Sequence, residues 1–151
     1  MTGFTRILVP TDFGASADRA LHVAVELCDK LGASLTLLHV CELPMYAYST
    51  LASVPGDFLM PISEAAQQDF EAALVALRLR VPAAKGILRN GVPWEVILAA
   101  IDETRADLVV MGTHGRRGIA HILLGSVAEK TVRLSPVPVL TCRAPTETTR
   151  T

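Results

Sequence analysis

The residues whose types and spacing suggest chemistry gather in one stretch. After an apolar run ending at Met111, the chain reads Gly112-Thr113-His114-Gly115-Arg116-Arg117-Gly118 and continues to Leu124-Gly125-Ser126-Val127. The spacing is G-x2-G-x9-G-S. Residue types of this kind suit an anion. Gly112 and Gly115 offer backbone without a Cβ in the way, so an anion can approach closely. Gly125 and Ser126 stand where a helix begins, and the first N–H groups of a helix lack partners within it. Two uses of the Ser126 hydroxyl stay open: capping that helix, or donating to a phosphate oxygen. From Gly112 to Arg133 the basic residues are Arg116, Arg117, Lys130 and Arg133, against one acid, Glu129, a local net charge of +3 in a chain whose overall net charge is −1. That excess fits one polyphosphate and is too small and local for a nucleic-acid footprint.

Turn formation alone explains any two of these glycines. The full spacing, between a buried strand and a helix, favours phosphate. It is not a P-loop, because no Gly-Lys-Ser/Thr occurs. Nor is it the dinucleotide fingerprint, since the first strand leads into Thr11-Asp12-Phe13-Gly14. For Asp12, helix capping and ligand contact are both open. His114 reads either as a solvated loop residue or as a contact to phosphate or sugar. His22 and His121 read as surface helix residues, His39 as packing or bonding locally at a strand end, and Trp94 as packing at a helix start. No HExxH or CxxC spacing marks a metal centre.

These residues need elements to hold them. Arg6-Ile7-Leu8-Val9-Pro10 reads as a strand buried on both faces, its run ended by Pro10. Ala17, Ala20, Leu21, Ala24, Cys28 and Leu31 form one apolar helix face, with Gly32 as its stop. Leu35 to Val40 is a second buried strand. The long connection 41–60 holds Pro44, Pro55, Gly56, Tyr46 and Tyr48, and a connection of that length is functional or mobile. Its tyrosines either cover a pocket or anchor the loop. A second helix runs from Ile62 to Val81, then a polar edge strand from Lys85 to Asn90. Pro93 suits the first position of the next helix, which carries Val96, Ile97, Ala100 and Ile101. Asp107 to Met111 is the third buried strand. Helical spacing resumes over 119–134. Val137 to Cys142 is a last strand, and Pro136 and Pro138 give it an open side. This β-α alternation predicts an α/β protein, a parallel sheet between two helical layers.

Composition narrows the class further. The chain has 151 residues, 50% apolar and 19% charged, which excludes intrinsic disorder. Seven aromatics make too few platforms for base stacking. Cys28, Cys41 and Cys142 give no disulfide framework. The apolar run near the N-terminus is too short for a signal peptide or a membrane span. The expectation is a soluble, cytoplasmic chain with one domain, 1–143, and a polar, disordered tail, 144–151, with neither nucleic acid nor membrane as partner.

The motif G-x2-G-x9-G-S resembles that of the universal stress protein family, in its ATP-binding subgroup. Ile7-Leu8-Val9-Pro10-Thr11-Asp12 is similar to the family's first strand and acidic loop, and Leu37-Leu38-His39-Val40 to its second strand. Gly91-Val92-Pro93 is similar to its turn into the third helix. Asp107 to Gly112 and Pro136 to Leu140 are similar to its last two strands. The similarity covers roughly residues 4–143. It implies a five-stranded parallel sheet of order 3-2-1-4-5, Rossmann-like and adenine nucleotide alpha hydrolase-like, with a ligand crevice where strands one and four diverge.

The resemblance further implies ATP as ligand, with Mg. It places Pro10, Thr11 and Asp12 along the adenosine, with Asp12 near the ribose or a nucleotide-bound Mg ion. It sets the Val40 backbone beside the adenine, and Met111, Gly112, His114, Gly115 and Arg116 around ribose and phosphates. Gly125, Ser126 and Val127 hold the phosphate tail. One departure is Gly14, where the family often carries serine. The family pairs its last strand across a two-fold axis, which implies a homodimer through Val137 to Cys142 with Leu140 near the interface. The leading function is a nucleotide-dependent regulatory module in a stress response. A slow ATP-hydrolysing or phosphoryl-transferring enzyme would lack a P-loop lysine and a clear water-orienting residue. A nucleotide-independent interaction module is disfavoured by the intact motif.

Overall fold

The computed structural model describes residues 3–42, 62–114 and 123–145. Within them β1 (Arg6–Thr11), α1 (Ala15–Leu31), β2 (Ser34–Glu42), α2 (Glu64–Arg78), β3 (Lys85–Gly91), α3 (Pro93–Thr104), β4 (Leu108–Gly112), α4 (Ser126–Leu134) and β5 (Val139–Cys142) alternate along the chain. The strands form one sheet of order β3-β2-β1-β4-β5, and every pairing is parallel. The α/β class and the strand order expected from the sequence both hold.

Period-two alternation in the strands explains the layers. Ile7, Val9, Leu35, Leu37 and Val110 face α1 and α2, packing on Ala20, Ala24, Phe70 and Leu74. Leu8, Leu38, Val109 and Met111 face α3 and α4, packing on Ile97, Ala100, Ile101 and Ala128. Strands buried on both faces carry no polar side, which is why the central runs read as continuously apolar. Gly32 ends α1 with φ +67, its N–H donating to the Cys28 carbonyl at 2.9 Å. Leu31, expected on the buried face, is 45% exposed, because it occupies the last turn where α1 leaves the sheet. Cys28 is buried as expected, and His22 lies exposed, bonded to the Asp18 carbonyl.

Two strand limits differ from the expectation, both for reasons of proline chemistry. Pro10 does not end β1, which runs on to Thr11 in register with His39. β1 pairs with β2 along all six residues, but with β4 only through Ile7 and Leu8. A residue without an N–H is tolerated where one neighbour has already parted. At the other edge, β5 begins at Val139 instead of Val137, and Pro138 contributes only its carbonyl, which accepts from the Val109 N–H at 3.0 Å. The helix expected over 119–134 starts at Ser126; residues 115–122 lie outside the described residues, as do 43–61 and 146–151.

Gly112 ends β4 directly beneath the first turn of α1. A Cβ there would sit 2.7 Å from the Ala17 nitrogen and 2.7 Å from the Ser16 carbonyl carbon. Backbone cannot yield as a flexible side chain does, so Gly112→Ala should destabilise the fold by about 1–3 kcal/mol in urea denaturation.

At the opposite end of the sheet, Asp107 fastens the start of β1. Its carboxylate accepts from the Thr5 N–H (2.9 Å), the Thr5 hydroxyl (2.8 Å) and the Arg6 N–H (2.9 Å). Burial pushes its pKa up, but the bonds from Arg6 and Thr5 and the Arg6 charge outweigh it, so the net shift is downward. A carboxylate held below its unfolded value stabilises the fold above that value, about 3.9, and the contribution is lost as pH falls through the folded pKa. Asp107→Asn should therefore cost about 1 kcal/mol at neutral pH and flatten the loss of stability on acidification, as read by denaturation at pH 7 and pH 3.

Candidate functional site

β1 and β4 are sequence-distant neighbours whose connections leave on opposite faces of the sheet. At their carboxyl ends, beyond the Leu8–Val109 pair, they separate. Such a switch point is where open α/β sheets hold ligands. Here it opens into a cavity of about 900 Å³. Pro10, Thr11, Asp12, Val40, Met111, Gly112, His114, Gly125, Ser126 and Val127 all line it. Ten residues singled out from the sequence thus meet at one place. The other two, Gly115 and Arg116, lie outside the described residues, as do Arg117, Gly118, His121, Tyr46 and Tyr48.

The turn after β1 is held in an unusual shape. Thr11 Oγ1 accepts from the Phe13 N–H at 3.0 Å and Asp12 Oδ1 from the Gly14 N–H at 2.8 Å. Phe13 sits at φ +64, a left-handed conformation uncommon for a bulky residue. Its ring packs against His39, with centroids 4.5 Å apart, and His39 Nδ1 donates to the Thr11 carbonyl at 2.7 Å. His39 therefore bonds locally, as expected, but it also lines the cavity. Asp12 does not cap α1; that helix's N-cap is Gly14.

Three helices begin at this cavity without a side-chain cap: α1 after Gly14, α3 after Val92 and α4 after Gly125. Ala17, Pro93 and Ser126, from their first turns, line the walls. Of the helices among the described residues only α2 is capped, by Ser63 Oγ accepting from the Ala66 N–H at 3.2 Å. A serine at position 14 would stand at the N-cap of α1, where Gly14 offers no side chain. Ser126 is the first residue inside α4, not its N-cap, so the capping role left open for it falls away. Unclaimed N–H groups at helix starts carry partial positive charge and favour an anion. Pro93 adds none of its own, but its missing N–H costs α3 nothing at that position.

The side chains add the opposite sign. Asp12, Glu42 and Asp69 line the cavity, and its described lining holds neither lysine nor arginine. Burial pushes the Cys41 thiol pKa up, so that thiol stays neutral. Among the described residues no cluster of three or more His, Cys, Asp or Glu is arranged to hold a metal by itself. Trp94 lies outside the cavity, under the Lys130 ammonium at 5.3 Å, in keeping with a packing role.

Sequence reasoning missed Ser16 and Thr113. Ser16 is 5% exposed, and its hydroxyl donates to the His114 carbonyl at 2.6 Å. The Thr113 carbonyl accepts from the Gly125 N–H at 2.6 Å, and its N–H donates to the Cys142 carbonyl at 2.9 Å. The one signal available was the small residue in the first turn of α1, four positions after Asp12; its partner lies 98 residues away.

The Universal stress protein family model matches residues 3–143. The universal stress protein YxiE of Bacillus subtilis is 31% identical over 147 residues, covering 93% of this chain and 99% of that protein. The solved structure of UspA from Lactobacillus plantarum superposes with a TM-score of 0.75 at 24% identity, over 95% of this chain and 100% of that one. Two further likenesses carry nucleotides of their own. One is a universal stress protein in complex with cAMP, with TM-score 0.65 and 23% identity over 95% of this chain and 100% of that one. The other is an Arabidopsis thaliana family protein with AMP bound, with TM-score 0.63 and 18% identity over 96% of this chain and 95% of that one. At such identities the solved structures establish the fold, while the family match spans nearly the whole chain. The chain belongs to the universal stress protein family.

Proposed function

We propose that the crevice binds an adenine nucleotide, ATP with Mg²⁺, and that the protein is a nucleotide-dependent regulatory module of a stress response. The observation that carries this reading is the meeting of three uncapped helix N-termini on the cavity lined by the motif residues. The AMP and cAMP held by two relatives of the same fold support the adenine part. In this reading Pro10, Thr11 and Val40 border the adenosine, Met111, Gly112, His114, Gly115 and Arg116 surround ribose and phosphates, and Gly125, Ser126 and Val127 receive the phosphate tail.

The donor set fits Mg²⁺ bound through the nucleotide. Asp12 uses one carboxylate oxygen for the Gly14 N–H, and its second oxygen has no partner among the described residues. Mg²⁺ commonly takes one or two carboxylates plus phosphates and waters. Bound there, it would neutralise phosphate charge that Asp12, Glu42 and Asp69 otherwise repel. This makes ATP affinity dependent on Mg²⁺, with adenosine affinity nearly independent of it.

Chromatography of the supernatant from heat-denatured protein should reveal an adenine nucleotide, and calorimetry should give binding of ATP with Mg²⁺. Gly125→Leu should weaken that binding by about tenfold or more, equivalent to ~1.4 kcal/mol. Absence of any nucleotide in both measurements would sink the reading.

The proposal extends to a homodimer through the last strand. β5 is a sheet edge, and Leu140 on it is 40% exposed. Light scattering should give a dimer at micromolar concentration, and Leu140→Glu a monomer. A monomeric wild type would count against this part alone.

A further inference from the structure

One peptide unit, between Thr113 and His114, joins two of the uncapped helices. On one side its carbonyl accepts from the Gly125 N–H at 2.6 Å, at the start of α4. On the other its N–H lies 3.4 Å from Ser16 Oγ, in the first turn of α1. Because the peptide is planar and trans, its C=O and N–H point in opposite directions, so the unit works as a rigid strut between them. The Ser16 hydroxyl then donates to the next carbonyl, that of His114, at 2.6 Å, closing the joint. Gly112 removes the Cβ that would hold α1 away from it. Ser16 itself is buried and is not among the residues that line the cavity.

We propose that Ser16 is a positioning residue: through the Thr113–His114 peptide it fixes the spacing of the α1 and α4 N-termini, and so the fit of the phosphate end of a nucleotide. This rests on the adenine-nucleotide reading above for its ligand, but the strut itself does not. Thr113 also bonds to β5, so the strut is anchored to the sheet independently of Ser16. Loss of Ser16 should free the α1 side of the joint and leave the strands in place.

The test compares wild type with Ser16→Ala in three measurements: calorimetry with ATP and Mg²⁺, calorimetry with adenosine, and amide hydrogen exchange without ligand. In the variant, ATP binding should weaken by about tenfold, the size of one lost buried hydrogen bond, with adenosine binding unchanged. The His114 and Gly125 amides should exchange about tenfold faster, while those of Leu8 and Leu37 keep their protection. Equal weakening of ATP and adenosine, or unchanged exchange at His114 and Gly125, would overturn the proposal. If wild type binds neither ligand, the nucleotide reading falls and the exchange comparison alone decides the strut. Should Ser16→Ala fail to fold, Ser16→Cys, whose thiol is a far weaker donor, carries the comparison with changes in the same direction and smaller in size.

Discussion

The first turn of α1 rests on the backbone of Gly112 with no room for a side chain between them. Much of the molecule follows from that contact. α1 lies closer to β4 than a Cβ would permit, although β4 comes some ninety residues later in the chain. The turn from β1 into α1 must then be tight, and Thr11 and Asp12 each give a side-chain oxygen to an N–H two residues on. The left-handed backbone of Phe13 belongs to the same tight path, with its ring lodged against His39. Such a conformation costs of order 1–3 kcal/mol and persists only where its surroundings over-determine it. The glycine that begins the motif thus has a packing role in addition to its place on the cavity wall.

The architecture was legible because its signal is local. Ile7-Leu8-Val9 and Leu108-Val109-Val110 are apolar at every position, which only a strand covered on both faces requires. Lys85 to Gly91 is mixed, and it lies at an edge. The convergence of the candidate residues on one cavity was legible for a related reason: strand ends and the helix starts that follow them in a parallel sheet come to one side. What stayed hidden depends on partners far apart in the chain. Ser16 looks like any small residue in a first helical turn until His114 is beside it. Gly112 reads as an opening toward an anion, yet the place of its missing Cβ is taken by α1. Pro10 reads as a stop, because the sequence does not reveal that β4 leaves β1 two residues earlier.

That early parting also accounts for the shape of the crevice. A sheet whose central strands stayed paired to their tips would present a closed edge. Here β1 continues along β2 as far as Thr11 while β4 ends at Gly112 against α1 and β5. The gap between them has one wall from β2 and α3 and another from β4 and α4. Pro10, Val40, Met111, Ile97 and Val127 give the gap an apolar lining, which it shares with Asp12, His39, Glu42 and Asp69. A ligand with one flat apolar part and one charged part matches a lining of both kinds.

The three bare helix starts carry a consequence for the folded state itself. With glycine at the N-cap, as in α1 and α4, a missing cap side chain forgoes only a few tenths of a kcal/mol of helix stability. Three such starts facing one another also place like partial charges together. An anion that settles among them relieves both deficits, and by linkage it raises the free energy of unfolding in proportion to the logarithm of its concentration. With an anion held there, resistance to heat and to proteolysis would be a property of the protein together with its solution, and the lifetime of the folded chain would lengthen with the anion's concentration.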